Sequence, residues 1–155
     1  MSAIPPAAAH DADLELVRSW FGELAEHVRA VDFAAARHLF DKDFVAFGTF
    51  TDFVTGREPA EESQWRKVWP TIDGFAWRLD GVKALLSPDR LFAVGLAVWD
   101  STGYHPGGEP FDRAGRATVS LRRAKIGDPF VATHTHMSLF RGTPDISYGK
   151  KPPKS

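Results

Sequence analysis

Three polar side chains recur at alternate positions near the end of the sequence: His134, His136 and Ser138. On a strand, alternation puts all three on one face, with Thr133, Thr135 and Met137 on the other. An imidazole changes charge near neutral pH, so a pair offers a general acid, a general base or a hydrogen-bond donor. The preceding apolar-polar run supplies Arg116, Thr118, Ser120 and Arg122 at the same period. Aligned inside a pocket, these groups make an imidazole, hydroxyl and guanidinium surface suited to a carbonyl or an anion. Aligned on an outer face, they lie in water or in a contact between copies of the chain. The sequence leaves both placements open. Asp100 follows the apolar run 91–99 and is the remaining carboxylate for acid–base work. It reads more readily as a turn residue before Ser101-Thr102-Gly103.

A His-x-His pair also holds zinc or iron when a third and usually a fourth ligand join it. His105, Asp100 and Glu109 are the available donors, and the chain has no cysteine. Two histidines alone are too few, so no metal and no other cofactor is expected. The aromatic residues Phe47, Phe50, Trp65, Trp69, Trp77 and Trp99 suit the wall of an apolar pocket for a ring-bearing ligand. Such residues are more often ordinary core.

Composition narrows the partners. Nineteen Lys and Arg stand against twenty Asp and Glu, for a formal net charge of -1. No strong overall field draws the chain to nucleic acid or to an anionic membrane. The expected partners are a small molecule and a second copy of the chain. The lack of cysteine excludes disulfides, thiolate catalysis and Cys-based zinc sites. No apolar run approaches the roughly twenty residues that span a bilayer. Residues 1–12 lack the basic start and apolar centre of a secretory signal, so a cytoplasmic location is expected. No phosphate-binding loop or serine-nucleophile motif is present.

The elements that must position these residues follow from periodicity. Residues 1–12 read as a flexible leader of small residues and proline, in which Asp11 or Asp13 can cap the helix that follows. Leu14, Val17, Phe21, Leu24 and Val28 then mark one face of that helix. Asp32 is placed to cap a second helix over roughly 33–40. Phe44 to Phe47 form a short strand. Pro59 and Pro70 bracket a third helix. After Asp73 the period falls to two, and the chain reads as strands over 75–79, 91–99, 116–125 and 129–140, with a loop at 103–115. Residues 142–155 read as a loosely held tail. Helices first and strands after predict an α+β layer: three N-terminal helices packed on one face of an antiparallel sheet, in a single domain over 13–141.

Two segments carry a resemblance. One is Phe47-Gly48-Thr49 with Thr55-Gly56-Arg57-Glu58 and a following helix bearing Trp65 and Trp69. The other is His134-Thr135-His136-Met137-Ser138. In this order and spacing they resemble the SnoaL-like branch of the nuclear transport factor two-like superfamily, and the histidine strand resembles the association domain of calcium/calmodulin-dependent kinase II. The resemblance implies a cone-shaped, cystatin-like fold with a strongly curved sheet enclosing a pocket, and a homodimer through the outer sheet face. It implies no single activity. Steroid isomerases of the superfamily need an aspartate base on the first strand, and residues 44–49 contain no carboxylate. Two expectations remain. One is a pocket for a small, partly apolar, carbonyl- or carboxylate-bearing molecule, with cofactor-free proton transfer, hydration or cyclisation by His134, His136 and Asp100. Phe47, Trp65, Trp69, Trp77, Trp99, Arg116 and Ser138 would line it. The other is a non-catalytic association domain.

Overall fold

The computed structural model describes residues 6–48 and 52–150; Thr49 and Phe50, singled out above, lie outside the described residues. Helix α1 (Pro6–Ala30) buries Val17, Phe21, Leu24 and Val28, the face that the spacing predicts. It starts inside the segment read as a leader. Pro6 is compatible with a first helical turn, where its missing N–H is one of the donors a helix leaves unused. Asp13 therefore caps nothing: it lies within the helix, buried.

Its carboxylate takes Arg90 Nε at 2.7 Å and Arg123 Nη2 at 2.7 Å. Arg123 also spans Arg90 O at 2.9 Å and lies 4.3 Å over the Phe130 ring. This trio, with Asp13 and Arg123 buried and Arg90 partly so, ties α1 to the end of the strand Gly115–Arg122, 110 residues later. The Arg90 hydrogen bond, with help from Arg123, holds the Asp13 carboxyl below its ordinary range against the opposing effect of burial.

Asp32 accepts from Ala35 N at 3.1 Å and starts α2 (Phe33–Ala36), which tightens into a 3₁₀ turn, Arg37–Leu39. The third helical segment is composite. It runs through α3 (Arg57–Ala60), a π turn Glu61–Trp65, α4 (Arg66–Val68) and a 3₁₀ turn Trp69–Thr71. The π turn swings Glu61 inward, where Arg37 and Arg66 each reach it at 2.7 Å.

Eight strands form one curved sheet: β1 (Phe40–Phe47), β2 (Phe53–Thr55), β3 (Asp73–Trp77), β4 (Lys83–Leu86), β5 (Phe92–Tyr104), β6 (Pro110–Asp112), β7 (Gly115–Arg122) and β8 (Val131–Leu139). The path runs β2-β1-β8-β7-β5-β3, with β4 and β6 also paired to β5. The sheet is mixed, because β1 and β8 run parallel while the other pairs are antiparallel. Alternation alone carries no sign of strand direction, so the antiparallel expectation missed this one pair.

The helix-covered face is built from Ala93, Gly95, Ala97 and Trp99 on β5, Ala117, Val119 and Leu121 on β7, and Thr135 on β8. Small residues there let α1 approach. A Cβ on Gly95 would stand 2.9 Å from the Phe21 ring. The tail is not loose over its described part. Ser147 is buried, donates to Thr71 O at 2.5 Å and accepts from Tyr104 N at 3.0 Å, while Tyr148 N donates to Tyr104 O.

Candidate functional site

Between α1, the composite helix and the covered face of the sheet lies a cavity of about 250 Å³. Leu24 and Val28 come from α1, Trp65 and Trp69 from the composite helix, and Phe75 and Trp99 from β3 and β5. The composite helix explains the aromatic wall. Residues four apart on a helix share a face, and Trp65 and Trp69 stack at 5.1 Å and 11°. Phe33 stacks on Trp69 and Phe40 leans on Trp65, so this wall is backed by further rings. Trp77 does not line the cavity; it packs behind Trp99 and against Phe21.

The polar groups of the lining are few: Ser63, Gln64 and Lys67 on the composite helix, Thr135 on β8, and Arg113 between β6 and β7. Among the described lining residues there is no Asp, Glu or His.

Arg113 is held from both sides by its backbone. Its N–H donates to Ser101 O at 2.8 Å, and its carbonyl accepts from Trp99 Nε1 at 2.9 Å and from Ser101 Oγ at 2.5 Å. The residue is 3% exposed, and Nε has no hydrogen-bond partner. Burial pushes the Arg113 pKa down, yet a guanidinium starts so high that it keeps its charge. From sequence, Arg113 falls within the 103–115 loop, where nothing marks it as a site residue by type. A signal was available: residue 113 is in phase with Gly115, Ala117, Val119 and Leu121, the inward set of β7. It is a charge on the apolar period.

The expected catalytic residues lie elsewhere. His134, His136 and Ser138 occupy the opposite face of β8, paired across from Ser120, Thr118 and Arg116. None of the three lines the cavity. His134 Nδ1 lies 2.7 Å from Val45 O, and the Phe47 ring packs against both imidazoles. Phe47 thus belongs to the outer face as well. Arg116 Nε meets Ser138 Oγ at 3.3 Å there. Asp100 is exposed and takes Arg78 at 2.9 Å and 2.8 Å, and this pairing lowers its pKa. Of the described residues proposed from sequence, only Trp65, Trp69 and Trp99 reach the cavity. Among the described residues no cluster of three or more His, Asp or Glu side chains gathers in a metal-binding arrangement. His105 and Glu109 close the β5–β6 turn through their backbones, His105 N to Glu109 O at 2.9 Å.

The outer face also carries a shallow groove of about 680 Å³, bordered by Lys83, Leu96, Val98, Arg116, His136 and Ser138. Leu85 and Phe53 stand out of the surface, 60% and 70% exposed. Such side chains cost solvation free energy when left in water.

No family model matches the chain, and neither does any curated protein. Solved structures do match. A ketosteroid isomerase-like protein from Erwinia carotovora atroseptica SCRI1043 superposes with a TM-score of 0.69 at 16% identity, covering 85% of this chain and 98% of that one. A nuclear transport factor 2 (NTF2-like) superfamily protein from Salmonella enterica serovar Typhimurium gives 0.69 at 14%, covering 87% and 96%. The association domain of C. elegans CaMKII gives 0.65 at 14%, covering 84% and 98%. The chain has the NTF2-like, cystatin-like fold that these structures share. Among the described residues no helix is long and apolar enough to cross a membrane.

Proposed function

We propose that the protein is a small-molecule-binding domain whose cavity takes one compact, largely apolar ligand, and that it assembles as a homodimer through the outer face of its sheet. The observation that carries the first half is the aromatic cavity itself. Protein interiors pack with few voids larger than a water. Here a space of about 250 Å³ persists among Trp65, Trp69, Phe75 and Trp99. Binding is favoured over proton-transfer catalysis, because the imidazoles and Asp100 lie on the other side of the sheet. A neighbouring fold such as the ketosteroid isomerase-like protein does not bring its chemistry with it.

Native mass spectrometry of the purified protein, with thermal shift against indole and toluene, tests this reading. A retained small molecule, or a dose-dependent rise in Tm, supports it. Val68→Trp, which fills the space from the composite helix, should remove the response. A wild-type protein that retains nothing and responds to no probe overturns it.

The second half rests on the exposed apolar residues of the outer face, Phe53, Leu85 and Phe92, beside Val94, Leu96 and Val98. A two-fold pairing would cover this face with its own copy. It should bury at least about 1,000 Å² in total. The association-domain neighbour is consistent with assembly. Sedimentation at micromolar concentration showing a monomer would refute the pairing.

A further inference from the structure

Two arginines of this chain are almost fully withdrawn from water, and they are treated differently. Arg123 has the Asp13 carboxylate, the carbonyl of Arg90 and the face of Phe130. Arg113, 3% exposed, has none of these. Its Nε lacks a partner, and among the described residues no carboxylate and no aromatic face is engaged with its guanidinium. A buried charge without a counter-charge is costly and is ordinarily paired. The missing partner is not supplied by the cavity walls, which hold no Asp or Glu among the described residues. Nor can the side chain be regarded as loosely placed. Trp99 Nε1 and Ser101 Oγ clamp its own carbonyl, and its Cδ lies under Gly103, where an added Cβ would come within 3.2 Å.

We propose that the cavity ligand carries a carboxylate, that Arg113 binds it, and that this contact selects anionic over neutral molecules of the same shape. The proposal rests on the reading of the cavity as a ligand site and narrows its ligand class. The planar guanidinium fork matches a carboxylate through two parallel N–H···O bonds. Thr135, buried on β8 and also lining the cavity, offers a hydroxyl to the same head group. Apart from Ser63, Gln64 and Lys67 on the composite helix, the remaining walls are mainly apolar and aromatic, so the body of the ligand is a ring or a short hydrocarbon chain. A single deep cation and a space of about 250 Å³ favour one carboxylate on a small body over a larger polyanion.

The test compares shape-matched pairs on the intact protein by calorimetry at pH 7 and fixed ionic strength: benzoate against benzamide, and phenylacetate against phenylacetamide. The acids should bind at least about 30-fold more tightly than the amides, the lower end for losing one member of a buried charge pair. Arg113→Met should abolish that preference and should not lower the Tm of the ligand-free protein, because it removes an unpaired buried charge. Arg113→Lys should keep part of the preference. Amides that bind as tightly as acids, or an Arg113→Met variant that still prefers acids, would overturn the proposal while leaving the cavity reading intact. A wild-type protein that binds none of the four, nor indole or toluene, overturns both. If Arg113→Met fails to fold, the acid-to-amide ratio of the wild type decides alone.

Discussion

Replacing Asp13 with Asn tests the buried ionic joint between α1 and the sheet. The Asp13 side chain is 2% exposed and that of Arg123 is 0% exposed. Asn keeps the shape but removes the charge, which strands the Arg123 guanidinium. The carbonyl of Arg90 and the Phe130 ring remain to it, and neither is an anion. Breaking a buried pair from one side costs about 3–5 kcal/mol. That is a large part of the roughly 5–15 kcal/mol that holds a domain together. For a chain of this length it corresponds to a fall in Tm of about 6–20 °C. Asp100→Asn is the control. Its pair with Arg78 is half-exposed on both sides, so about 0–1 kcal/mol is at stake there. Scanning calorimetry and urea unfolding at pH 7 would separate the two.

The pH dependence gives a second handle. Arg90 and then Arg123 depress the Asp13 carboxyl, so it binds protons less readily in the folded state than in the unfolded one. Its contribution is therefore fully present above the ordinary carboxylate pKa, near about 4. It is lost as the pH falls further, through the folded value. The gap between wild type and Asp13→Asn should be flat from neutral pH down to about 5 and should close below about 4. If Asp13→Asn and Asp100→Asn lower the Tm equally, the argument from burial fails.

Other outcomes follow from single contacts. Gly115→Ala would put a Cβ 2.3 Å from the Trp99 ring and 2.6 Å from Ser138 O. Overpacking of this kind costs about 1–3 kcal/mol, and an unchanged Tm would contradict the β5–β7 register. Ser147→Ala removes the hydroxyl that joins Tyr104 N to Thr71 O. It should cost about 1–3 kcal/mol and raise hydrogen exchange over residues 142–150, and no change in either would mean the tail is not pinned. His134→Ala and His136→Glu should leave probe binding in the cavity unchanged and weaken self-association in sedimentation; loss of probe binding would place the imidazoles at the wrong face.

Periodicity carried most of the architecture. The inward set of α1, the alternation of β5, β7 and β8, and the cap at Asp32 are local patterns, and local patterns are what a sequence displays directly. The composite helix was legible in extent, since Pro59 and Pro70 bracket it, but its π turn was not. In that turn Glu61 points inward to meet Arg37, 24 residues earlier, and Arg66, a long-range pairing that no local pattern displays. The site was harder for the same reason. The histidines attracted attention by their type, yet which face of β8 is covered depends on where α1 lands, and no residue of β8 encodes that. Arg113 was visible only as a charge in phase with an apolar period, two positions before the recognisable strand begins.

The parallel pairing of the first strand with the last bears on how the chain is made. Val45 and His134, joined across that pair, are 89 residues apart. A strand emerging early from a ribosome finds only the short β2 beside it until β8 has been synthesised. At about 5–20 residues per second this wait lasts several seconds or more. During that interval the flank of β1 that β8 will occupy presents unpaired backbone groups, a ready template for other strands. Native pairing there closes a very long loop, a step that slows folding. A nascent chain arrested before residue 131 should accordingly remain protease-sensitive across β1, and protection should appear only once β8 has cleared the exit tunnel.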